Sequence, residues 1–136
     1  MTPTKKPSDK RSKKADVRPR PKPGEIYGEG AVLTAIGKMT PEDRSVGERL
    51  HAIIRANAPN LAPRTWYGMP AYEKGPGEVV CFFRDRQKFK ERYMSLGFND
   101  SAHVDEGGFW PVVFALTKLD AATEARIADL VKRAVS

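Results

Sequence analysis

A chain of 136 residues is long enough for one domain with one core, and a hydrophobic content of 40% makes a packed interior feasible. The net charge of +7 is uneven: residues 1–22 take nine of the 24 Lys/Arg and two of the 17 acids, leaving fifteen of each sign elsewhere, so nucleic-acid binding argued from basicity applies to that segment alone. One cysteine, Cys81, excludes an internal disulfide and a cysteine-rich zinc site, and no apolar run reaches the roughly 18 residues of a membrane span.

Residues 1–24 are rich in Lys, Arg, Pro and Ser. Too little apolar surface is available there to offset ordering entropy, so a disordered basic tail is expected, with a folded domain over 25–136. The tail holds no apolar stretch of the secretory type, and a reducing cytoplasm suits the single cysteine. Val32, Leu33 and Ile36 predict a short helix over 29–38. Thr40 as cap, Pro41 at the first helical position and Asp43 three residues after the cap start a second helix. Its apolar face is Val46, Leu50, Ile53 and Ile54, and it ends near residues 57–59.

The middle of the chain reads as strands. Residues 71–74 and 78–84 flank Gly75-Pro76-Gly77, a hairpin loop. Val79-Val80-Cys81-Phe82-Phe83 is apolar on both faces, which suits a central strand. Further strands are expected over 92–98 and 109–117, with Pro111 marking a strand start or a bulge. Asp120 caps a last helix whose stripe is Ile127, Leu130, Val131 and Ala134, with Lys132 and Arg133 complementing its dipole. The expected class is a two-layer α+β domain, a mainly antiparallel sheet flanked by N-terminal and C-terminal helices.

Trp66-Tyr67-Gly68-Met69-Pro70-Ala71-Tyr72, then Val79-Val80-Cys81-Phe82-Phe83, then Leu96-Gly97-Phe98, taken in order, resemble the YdhG/YdeI-like family of small bacterial domains of unknown function. The resemblance runs from about residue 29 to 135 and implies a secretion-chaperone-like fold. One branch of the family is similar to frataxin-type iron chaperones, which present an acidic ridge. Here the Thr40-capped helix carries Glu42, Asp43 and Glu48 but also Arg44, Arg49 and Arg55.

Three groups of residues are candidates for function. Trp66, Tyr67, Met69 and Tyr72 line a slot for an apolar or planar ligand or a partner chain, or else fill the corner between helix and sheet. On a strand Trp66 and Tyr67 would point to opposite faces, so one is expected to be exposed in a pocket with Met69. Arg84, Arg86, Lys88, Lys90 and Arg92, interleaved with Phe89, form a loop suited to an anion or a phosphate backbone, or a solvated turn. His103, Asp105 and Glu106 offer imidazole and carboxylate ligands for iron or a similar cation, or a polar connection.

Cys81 is bracketed by apolar residues and reads as a buried hydrophobe. His51 lies on the rim of its helix with Glu48 as the one acid at helical spacing, which supports no dyad. No nucleophile–base pair and no closed metal-ligand set emerges. The expected function is a cytoplasmic, non-enzymatic binding or chaperone-like module for a small ligand or protein partner, with no cofactor and no membrane. The alternatives are an iron carrier and a protein tethered weakly to nucleic acid by residues 1–24.

Overall fold

The computed structural model describes residues 26–136. The tail 1–24 and its nucleic-acid reading lie outside them. Two helices, α1 (Glu29–Gly37) and α2 (Pro41–Asn57), precede five strands: β1 (Ala62–Trp66), β2 (Met69–Glu73), β3 (Val79–Arg84), β4 (Met94–Phe98) and β5 (Val113–Leu116). Helix α3 (Ala121–Ala134) follows. The strands lie in space in chain order, each antiparallel to the next. The fold is therefore α+β, with a wholly antiparallel meander and helices at both ends of the chain.

All three helices pack on one face of the sheet. Tyr72, Cys81, Phe83, Leu96 and Phe98 point to that side and meet Val32 and Ile36 of α1, Leu50 and Ile54 of α2, and Ile127, Leu130 and Val131 of α3 in one core. Both expected caps form. Thr40 Oγ1 accepts from Asp43 N at 3.3 Å, and Asp120 Oδ1 accepts from Thr123 N at 2.9 Å. Each satisfies one of the donors orphaned at a helix start, a contribution of about 1 kcal/mol. Leu33, expected in the core, is about half exposed. Among the described residues no helix is long and apolar enough to cross a membrane.

The strands differ from the sequence reading in one addition, one extension, since β2 starts at Met69 and not at 71, and several trims. No strand was expected before Ala71, yet β1 pairs with β2 from Ala62↔Glu73 to Trp66↔Met69. The connection is the two-residue turn Tyr67-Gly68, with φ of 54° and 78°. Positive φ at both positions gives a type I′ turn, whose twist matches that of the strands it joins. Pro70 is accommodated because Thr65 directs its N–H away from β2, to Ile26 O at 2.7 Å. The Thr65–Pro70 pair thus exchanges no ladder bond, and the missing proline N–H costs the β1–β2 ladder nothing. β4 begins at Met94 rather than at 92. β5 keeps only 113–116 of the expected 109–117, with Pro111 outside it.

The two edges of the sheet are unlike. Along β1, Tyr27 bridges to Arg64, Gly28 N donates to Pro63 O at 2.9 Å and Ile26 O takes the Thr65 N–H, so the outward groups of that edge are paired. No described segment pairs with the outer side of β5.

Candidate functional site

A wide concavity lies at the end of the sheet where α1, the Tyr67-Gly68 turn and the β3–β4 loop converge. Its volume is about 810 Å³, within the range of small-molecule sites. Small residues of α1, Gly30, Ala31, Thr34 and Ala35, form one wall. Met39 and Pro70 supply an apolar floor, and Met69 borders it from the strand position opposite Trp66. Lys38, Arg84, Asp85 and Lys88 bring charge to the rim.

The loop wall is held in place by a buried carboxylate. Asp43, in the first turn of α2, is fully buried; its Oδ2 accepts from Arg86 N and its Oδ1 from Arg86 Nε, both at 2.9 Å. Arg84 Nη2 donates to Glu91 at 2.9 Å, and its guanidinium lies 4.7 Å from the centre of the Phe89 ring. Asp85 Oδ2 accepts from Lys88 N at 3.1 Å, which folds the loop back on itself. The Lys88 ammonium rests directly on Gly68, where a Cβ would collide with it. The lysine tip could swing aside for a Cβ, so it is the left-handed backbone, φ 78°, that favours glycine at this position.

The basic loop is consequently not five free cations. Arg86 is neutralised by Asp43, Arg84 by Glu91, and Arg92 lies 5.3 Å from the Tyr93 ring centre. Lys88 and Lys90 make no ion pair with any described residue, and of these Lys88 faces the cleft. Lys38, which follows α1 and is likewise unpaired, joins it there.

The predicted aromatic slot is divided among three places. Met69 lines the cleft. Trp66 ends β1 on the face away from the helices, with its ring 5.2 Å from Phe82. Phe82 in turn covers Gly97, where a Cβ would overlap its ring. Tyr67 is in the turn and not on a strand, so strand alternation does not govern it; its side chain is 67% exposed and edge-on to Trp66 at 5.1 Å. Tyr72 is fully buried in the core.

Tyr72 belongs to a hydrogen-bonded chain that helical spacing along α2 alone does not reveal. His51 Nδ1 is 2.7 Å from Tyr72 Oη and His51 Nε2 is 2.6 Å from Glu29 Oε2. The acid comes from α1, not from the Glu48 position. Burial pushes the Tyr72 hydroxyl well above the ordinary phenol range, so it keeps its proton and donates to Nδ1. Nε2–H then donates to Glu29, whose carboxyl is held below its ordinary value by that hydrogen bond and by the imidazole. The chain ends in the packed core, so it ties α1 to α2 and to β2.

The cation-ligand group does not assemble. His103 Nδ1 donates to Ser136 O at 2.9 Å, and Glu106 accepts from Arg133 at 3.4 Å. Among the described residues no group of three His, Cys, Asp or Glu side chains is placed to hold a metal ion. These residues do not fit an iron site. Cys81 is fully buried, and burial pushes its thiol up to about 12.

Comparison with family models, with curated proteins and with solved structures gives no match to this chain.

Proposed function

We propose that this domain is a non-enzymatic binding module whose site is the cleft between α1 and the β3–β4 loop, and that it takes a small amphipathic organic anion. The observation that carries this reading is the meeting of apolar surface from Met39 and Pro70 with two ammonium groups, Lys38 and Lys88, that make no ion pair with any described residue, around one 810 Å³ space. An apolar body fits the floor and the small-residue wall of α1. A carboxylate or phosphate fits the lysines, and the single acid of the rim, Asp85, already serves the loop backbone. The YdhG/YdeI-like resemblance is part of the same proposal, since it implies a small domain acting by binding.

Calorimetric titration of the full chain with decanoate, decanol and inorganic phosphate tests it. Decanoate is expected to bind and decanol to bind about tenfold more weakly, the effect of losing one charge-assisted contact. Lys38→Ala and Lys88→Ala should each weaken decanoate binding by up to about tenfold. Ala35→Phe should abolish it by filling the cleft. Failure of decanoate to bind, or binding unchanged in Ala35→Phe, overturns the proposal.

A further inference from the structure

We propose that β5 is the dimerisation edge of this protein, pairing antiparallel with β5 of a second copy about a two-fold axis at Phe114. The ladder inside the sheet determines which backbone groups are on offer. Phe98 N donates to Val112 O at 2.7 Å, so Val112 and, by alternation, Phe114 and Leu116 turn their amides toward β4. Val113 and Ala115 then turn both N–H and C=O outward, away from the sheet. Under a two-fold at Phe114, Val113 of one copy stands opposite Ala115 of the other, twice. Each pair exchanges two hydrogen bonds, so four outward donors meet four outward acceptors and none is left over. Pro111 has no N–H to give, which confines the ladder to these positions.

The side chains agree with that pairing. Three of the seven exposed large hydrophobics of the described residues, Phe109, Val112 and Val113, lie within five positions at this edge. Residues 109–116 contain no charge, so the edge lacks the lysine or glutamate that keeps edge strands apart. The register sets Val112 of one copy opposite Leu116 of the other on the helix side. Leu116 borders an apolar groove of about 370 Å³ shared with Ala122 and Ile127, a seat for that valine. Arg126 and Asp129 lie on the flank of α3 beside β5, three residues apart. Opposite charges in that order complement themselves when a second α3 runs the other way. The β1 edge is already paired, so the association closes at two copies instead of growing into a filament.

Four ladder bonds and a short apolar strip are less than a standard stable interface, so the dimer is expected to be concentration-dependent. Sedimentation equilibrium of the full chain over a wide concentration range should show a mass rising from 15.1 kDa toward twice that value. Ala115→Pro removes an outward N–H that the monomer does not use, and it should leave a monomer with an unchanged circular dichroism spectrum. Amide exchange of the wild-type protein gives a reading independent of that variant's folding: the Val113 and Ala115 amides should become protected as concentration rises. A wild-type mass of one chain throughout, or exchange at Val113 and Ala115 indifferent to concentration, overturns the proposal. So does a folded Ala115→Pro variant that still dimerises.

Discussion

Tyr67 holds a left-handed backbone at a position where asparagine or glycine is the usual occupant, at a cost on the order of 1 kcal/mol for a residue with a Cβ. Its edge contact with Trp66 returns part of that, about 0.5 kcal/mol. Tyr67→Asn is therefore expected to stabilise the domain by roughly 0.5 kcal/mol, seen as a higher urea midpoint at constant slope. A lower midpoint would mean that the aromatic contact outweighs the strain. His51 is the opposite case, a residue whose removal strands a buried partner. His51→Ala should cost about 2–3 kcal/mol, because Tyr72 Oη is left without an acceptor. In a double-mutant cycle with Tyr72→Phe the two costs should fall short of additive by about 1 kcal/mol. The Cys81 thiol should react with a thiol reagent only as fast as the protein opens. That cysteine was legible from its apolar neighbours alone. The His51 chain was not, because its acid stands 22 positions away on another helix and only tertiary packing brings them together.

Helices and loops carry the response to acid. Among the described residues three carboxyls lie below their ordinary values: Glu29 through the His51 hydrogen bond, Glu124 through that of Arg49, and Asp120 through the backbone N–H of Thr123. A lowered folded-state value means stability that is fully present above the ordinary value, 4.5 for the two glutamates and 3.8 for Asp120, and lost as pH falls through the lower one. Two of the three groups sit at the start of α3. Urea stability should therefore fall as pH drops below about 4.5, and less steeply in Asp120→Asn and Glu124→Gln. Asp43 anchors the β3–β4 loop from inside. Asp43→Ala leaves Arg86 without its partner and should cost about 3 kcal/mol, with loss of decanoate binding because one wall of the cleft is freed. The helices were readable from caps and apolar spacing. β1 was not, since Pro63, Arg64 and Thr65 show no apolar alternation and a tyrosine disguises the turn that follows.

For the molecule as a whole, the layer arrangement followed from the order of apolar segments, whereas the cleft did not. Its parts come from residues 26–39, 65–70 and 84–88, and its small-residue wall carries no periodic signal that separates it from an ordinary helix surface. Only the meander brings them to one end of the sheet. The same meander has a consequence for how the chain assembles. Every strand pairs with its neighbour in sequence, so no crossover must be threaded and each hairpin can form from chain already at hand. As the polypeptide is synthesised, α1 and α2 find β1 to β3 within the next few dozen residues. α3, which emerges after all five strands, closes over the exposed underside of β4 and β5, so the strand with the open edge is the last of the five to be sheltered.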